Sequence, residues 1–165
     1  MEQWDLFTKD RIRTGTVINK GESVPEGYFR MVVHVSIFND KNQLLLGKRV
    51  NCFGEGTFGL IGGKLKVGET IESCIKRELL EEVGICVNIE DIEVVNLSST
   101  NIEIPMLQIG VLIKKYYGEP YNKEKEYCSE IGFFDLDNLP EIFEVTKTNL
   151  ELFLRKEFYN RKCNI

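Results

Sequence analysis

The chain has one histidine, His34, and no two cysteines spaced as CxxC. With that ligand spacing missing, the sequence argues against a zinc site. The five cysteines, Cys52, Cys74, Cys86, Cys128 and Cys163, are odd in number, and read as reduced thiols of a cytoplasmic protein, several of them small core residues. Basic excess is also missing: 21 Lys and Arg stand against 26 Asp and Glu, a net charge of −5. No cationic stripe offers counterion release, so a nucleic-acid polymer is not expected as the main partner. A single nucleotide stays open, because a bound cation reverses the local field. No apolar run approaches the length of a bilayer span and the first residues lack the form of a signal peptide, so no membrane partner is expected. Repeats, linkers and low-complexity stretches are absent too. In 165 residues that leaves a single domain, 1–165, with room for its own core.

What is present concentrates between Gly63 and Ile85, GKLKVGETIESCIKRELLEEVGI. Thr70 is a good helix N-cap, Glu72 adds negative charge to the first turn, and Gly84 supplies a left-handed stop. At about 100° per residue, Ile71, Ile75, Leu79 and Val83 share one apolar face with Cys74 at its edge. Glu78 and Glu82 fall within or beside that face, and Glu81 borders it. Carboxylates at i, i+3 and i+4 lie roughly 5–6 Å apart at Cβ and repel one another. A hard divalent cation among them removes the conflict, since Mg²⁺ takes carboxylate oxygens, waters and phosphates. Glu69 can turn back toward the cluster, and Arg77 can pair with Glu81 through its rigid fork. An acidic surface helix is the alternative that the carboxylates alone leave open.

The rest of the chain reads as strands and turns. Residues 1–27 form a glycine-punctuated N-terminal arm with Trp4, Leu6 and Phe7, expected as a short strand pair. Arg30–Phe38 and Gln43–Arg49 read as strands about an Asn-Asp-Lys-Asn turn, and His34 lies mid-strand in a packing role. Ile92–Ser99, Ile104–Lys115 and Glu130–Leu136 are further strands, with a turn over 101–105. Val145–Arg161 is a closing helix with Leu150, Phe153, Leu154 and Phe158 inward. The mixture suits an α+β layer architecture.

Gly63, five residues, Glu69, seven residues, Arg77-Glu78-Leu79, one residue, Glu81-Glu82, one residue and Gly84-Ile85 together match the Nudix box at every specified position. The chain therefore resembles the Nudix hydrolase superfamily, with 63–85 as its box. The resemblance implies an α/β/α sandwich with a mixed central sheet, hydrolysing a diphosphate linked to another group with Mg²⁺, or Mn²⁺ in its place. It implies Glu78, Glu82 and Glu81 as metal ligands, Glu69 as a support or water-mediated ligand, a Gly62 carbonyl ligand, and an orienting role for Arg77. The general base is either a box glutamate, such as Glu78 or Glu81, or Glu124 or Glu126 from the loop after Gly118, Glu126 being the expected catalytic residue of that loop. Lys48, Arg49, Phe58 and Lys64 are the expected substrate contacts. Ile61 departs from the proline usual before the paired glycines.

The Leu46-Gly47-Lys48-Arg49 string and the Glu119-Pro120 loop look like MutT-type nucleotide pyrophosphohydrolases. They imply a nucleoside triphosphate cut to monophosphate and pyrophosphate. A nucleotide sugar such as ADP-ribose is the alternative. The lead-in also resembles isopentenyl-diphosphate isomerase relatives, with Cys52 a poor match to that chemistry, and a non-catalytic nucleotide sensor is a further reading. A small-molecule substrate and a homodimer are the expected partners.

Overall fold

In a computed structural model the described residues are 2–100 and 104–158. The order is β1 (Gln3–Phe7), β2 (Arg13–Asn19), β3 (Arg30–Ile37), β4 (Leu44–Arg49), β5 (Phe58–Gly59), β6 (Ile61–Lys64), α1 (Ile71–Glu78), β7 (Ile92–Thr100), β8 (Met106–Ile113), β9 (Cys128–Phe134) and α2 (Glu144–Leu154).

Strand β3 is nearly all buried, the pattern of a strand covered on both faces. It runs parallel to β8 from Arg30 opposite Met106 to Ile37 opposite Ile113. Its other edge pairs antiparallel with β6, Val33 opposite Gly63 and His34 opposite Gly62. With β7 outside β8, the mixed sheet reads β6-β3-β8-β7. A second sheet, β5-β4-β9, is antiparallel.

Strand alternation sends Met31, Val33, Val35 and Ile37 to one face, with Leu107, Ile109 and Val111. There they meet the α1 side chains Cys74 and Ile75, and Leu79 and Val83 beyond them, in the largest core cluster. On the opposite side Leu150 of α2 packs with Leu44, Leu46 and Leu60. Helices thus flank the sheets on both sides, the α/β/α sandwich. The arm closes over a small core of Trp4, Leu6 and Ile18, and Trp4 bridges to Lys66 in strand fashion.

Two expectations are corrected. The closing helix ends at Leu154, because Arg155 caps it and Lys156 turns left-handed at φ 55°. Residues 159–161 of the expected helix lie outside the described residues. Leu154 and Phe158 are therefore exposed, not inward, while Leu150 and Leu152 are buried. Of the expected 101–105 turn, residues 101–103 lie outside the described residues. No helix among those described is long and apolar enough to cross a membrane.

Candidate functional site

The box folds as its caps dictate. Thr70 accepts the Ser73 amide at 3.1 Å while the Ser73 hydroxyl accepts the Thr70 amide at 2.9 Å, a reciprocal capping box. Gly84 ends the segment in the left-handed region, φ 72°. Between them α1 does not continue to the end. From Leu79 to Val83 it widens into a single π-helical turn, with the Gly84 amide reaching back to the Leu79 carbonyl. The sequence pattern gave no signal for this, and such turns recur at functional sites. Leu79 and Val83 remain buried, so the core face is kept while the glutamate spacing is reset.

Arg77 organises the carboxylates. Its Nε donates to Glu69 Oε1 at 2.6 Å and Nη2 to Glu69 Oε2 at 2.9 Å, a two-pronged fork. Nη1 donates to Glu78 Oε1 at 2.6 Å and to Glu81 Oε2 at 3.2 Å. Nη2 also reaches the Lys64 carbonyl at 3.2 Å. The Glu69 hydrogen bonds raise the Arg77 pKa well above its ordinary value. For Glu69 burial acts upward, but Arg77 and the Lys66 amide, 2.8 Å away, hold its pKa below the usual range.

Glu78 is buried, and its carboxylate occupies the space that a side chain at Gly63 would take. Burial raises its pKa, against the pull of Arg77. Glu82 is raised further, first by desolvation, then by the charges of Glu78 and Glu124. Among the described residues its carboxylate accepts from the Gly62 amide, at 3.4 Å. Glu81 is exposed and lies 3.9 Å from Lys66 Nζ. Among the described residues no three His, Cys, Asp or Glu side chains converge as a ready metal site. The donors are hard oxygens, and Glu78 and Glu82 are the desolvated pair in need of positive charge.

A cleft of about 600 Å³ opens beside this cluster, walled by Arg77, Glu78 and Glu81, by Lys66, by Glu124, and by Glu2 and Gln3 of the arm. Glu124, not Glu126, is on that wall. Glu126 is exposed and not among the residues lining the cleft; the alternation of charges through 123–126 could not separate the two. Burial and the charge of Glu81 raise the Glu124 pKa. The arm's share in the cleft carries no sequence signal. Asp5 accepts from Arg13 and from the Gly68 amide, and Arg13 also donates to the Glu69 carbonyl.

The four expected substrate contacts lie apart from this wall. Lys48 is 3.5 Å from Glu130 and over the Phe58 ring. Arg49 donates to the Phe53 carbonyl at 2.9 Å and stacks on Phe143, with its charge still felt by Glu82. Phe58, partly buried, packs edge-on to Phe134 beneath α2. Lys64 Nζ lies over the Trp4 ring, 5.3 Å from its centroid, and still feels the charges of Glu2 and Glu78.

The family model for the NUDIX domain matches residues 28–154. The chain belongs to the Nudix family. It is similar to an uncharacterised Nudix hydrolase of Listeria monocytogenes, 39% identical over 94 residues that make up 54% of each chain. The oxidized purine nucleoside triphosphate hydrolase of Danio rerio is 33% identical over 59% of this chain and 62% of its own. The ADP-ribose pyrophosphatase of Methanocaldococcus jannaschii is 30% identical over 69% of this chain and 70% of its own. The chain spans about half the length of the Listeria relatives it matches, 54% and 56%. A MutT Nudix hydrolase structure from Burkholderia pseudomallei superposes with a TM-score of 0.69 at 28% identity, over 74% of this chain and 95% of that one. Residues 2–27 of the arm precede the matched Nudix segment.

Proposed function

We propose that this Nudix protein hydrolyses a nucleoside triphosphate to the monophosphate and pyrophosphate, with Mg²⁺, or Mn²⁺ in its place, held by Glu78 and Glu82. The observation that carries the reading is the pair of desolvated carboxylates against Gly62 and Gly63, both with raised pKa values. Glu78 and Glu82 would hold the cation, which would supply charge neutralisation at phosphate oxygens and a water of lowered pKa. The chain's own residues do the rest. Arg77 holds Glu69, Glu78 and Glu81 in register, which fixes geometry before substrate arrives. Glu124, raised in pKa and on the cleft wall, is placed to take the proton of the attacking water. Glu81, exposed on the cleft wall, would be a further carboxylate to hold the cation.

The triphosphate class is supported by the Danio rerio relative and by the Lys48-Arg49 and Glu119-Pro120 strings. A second reading, ADP-ribose hydrolysis, is favoured by the Methanocaldococcus jannaschii relative, whose match takes in more of this chain. Turnover of a panel of nucleoside triphosphates, ADP-ribose and a prenyl diphosphate, with and without Mg²⁺, separates them. Pyrophosphate release from a triphosphate is the expected product. AMP from ADP-ribose supports the second reading, and binding of nucleotides without any turnover overturns both.

A further inference from the structure

In an unbroken α-helix the Gly84 amide would close on the carbonyl of Leu80, four residues back. The π turn sends it to Leu79 instead, which also takes the Ile85 amide at 3.3 Å. The Leu80 carbonyl is thereby released, and the Lys123 ammonium donates to it at 2.7 Å. Two further carbonyls at this helix end accept from the same short segment. The Lys123 amide donates to Glu82 at 2.9 Å and the Tyr121 amide to Val83 at 3.1 Å. Gly84 admits the segment, because the Tyr121 ring occupies the space that a Cβ there would take.

Glu124 is the next residue along the chain. It stands on the cleft wall, close enough to Glu82 for its charge to raise that pKa. Past Glu124 the chain is tied to the end of β4. The Tyr127 carbonyl takes the Val50 amide at 3.0 Å, and the Glu126 carbonyl takes the Asn51 side chain at 2.8 Å. Glu124 thus lies between two moorings, one beside β4 and one on the π turn. The mooring on the π turn fixes its place relative to Glu82. Of the three hydrogen bonds there, the Lys123 ammonium makes the one that comes from a side chain. A cation at the last carbonyls of a helix is also favoured by the helix dipole.

We infer that Lys123 is a positioning residue: its bond to the Leu80 carbonyl moors residues 121–124 on the π turn and holds the Glu124 carboxylate in place on the cleft wall. The inference deepens the proposed reaction and rests on Glu124 as the group that takes the proton of the attacking water. Lys123 acts through Glu124 and touches neither substrate nor cation. The π turn then does two things at once, resetting the glutamates and freeing the carbonyl on which the loop is fastened.

Hydrogen exchange of the full chain in EDTA reads the mooring directly, through the amides of Tyr121 and Lys123. Lys123→Met should speed their exchange by about tenfold, with the amides of β3 unchanged as an internal reference for the fold. Lys123→Arg keeps a donor and should retain the protection. In turnover of a nucleoside triphosphate with saturating Mg²⁺, Lys123→Met should lower kcat by about 10- to 100-fold. KM should stay nearly constant, and Lys123→Arg should recover most of the loss. Glu124→Gln should lower kcat by roughly 100-fold or more, and adding Lys123→Met to it should cost nothing further, because the two act as one unit. Wild-type exchange at Tyr121 and Lys123 in Lys123→Met overturns the mooring. Independent, multiplicative losses in the double variant overturn the action through Glu124. Wild-type turnover in Glu124→Gln removes the base assignment, and exchange that still depends on Lys123 then upholds the mooring without it.

Discussion

Gly62 and Gly63 are adjacent, and a methyl group added to each should fail in different ways. A Cβ on Gly63 would lie within 2.8 Å of every atom of the Glu78 carboxylate. The obstacle is the end of a flexible side chain, so the backbone stays and the carboxylate shifts by about 1 Å to restore ordinary contact. A displacement of that size costs on the order of 100-fold in rate, or about 2.7 kcal/mol of transition-state stabilisation. A Cβ on Gly62 would instead sit against the Val33 carbonyl, with the carbonyl carbon 3.0 Å away and His34 Cα 3.2 Å away, at φ 153°. There the neighbour is the backbone of the central strand, so Gly62→Ala should cost more than about 3 kcal/mol in stability. The assay is pyrophosphate release with saturating Mg²⁺, alongside urea unfolding of both variants in EDTA. Gly63→Ala should unfold near the wild-type midpoint with kcat down about 100-fold. Wild-type turnover by Gly63→Ala would refute the role given to Glu78, and equal destabilisation by the two variants would refute the distinction between the faces.

Glu82→Gln removes a carboxylate whose folded pKa is raised, a group that costs stability as pH climbs above its ordinary range. In EDTA at pH 7 the variant should melt higher, by roughly 4–8 °C for about 2 kcal/mol, while turnover falls by orders of magnitude; a lower Tm would contradict the desolvation. Arg77→Ala strands Glu69 and Glu78 as buried charges and should cost about 3 kcal/mol in EDTA, with Mg²⁺ restoring more stability to the variant than to wild type in a thermal shift. His34, beside Gln108, is driven down to about 4, chiefly by burial. Between that value and its ordinary 6.5 the unfolded chain binds the extra proton, so stability falls as pH drops through the window, by about 3 kcal/mol in all. Denaturation midpoints across pH 4–7 in EDTA should flatten in His34→Gln, and an unchanged slope would show that His34 is not the cause.

Much of the scaffold was legible because local chemistry and tertiary packing agree. The alternation through Arg30–Phe38 requires an extended chain, and the strand ends one residue earlier, at Ile37. Thr70 and Gly84 bracket the box helix because a cap and a left-handed stop are set by the residues themselves. The closing helix was overextended for the opposite reason. Leu154 and Phe158 continue a helical apolar period, yet Lys156 breaks the chain between them, and periodicity carries no record of a terminus that a lysine in the left-handed region imposes.

At the site, the sequence named the acidic residues but not the directions in which they point. An unbroken α-helix from Ile71 to Val83 rotates Glu82 about 40° from Glu78, so the two share a stripe. The π turn spreads that rotation over wider spacing, leaving Glu82 with Gly62 and Glu81 in solvent. Residues around the glycine pair do not share one face. A strand has two faces, and once Gly63 is assigned to Glu78, parity alone sends Lys64 to the other side, toward Trp4 and Arg30. Charge of each sign was visible in the sequence. What it could not convey is that Lys64 stands on the face of β6 opposite Glu78, while Arg77 and Lys66 stay among the carboxylates.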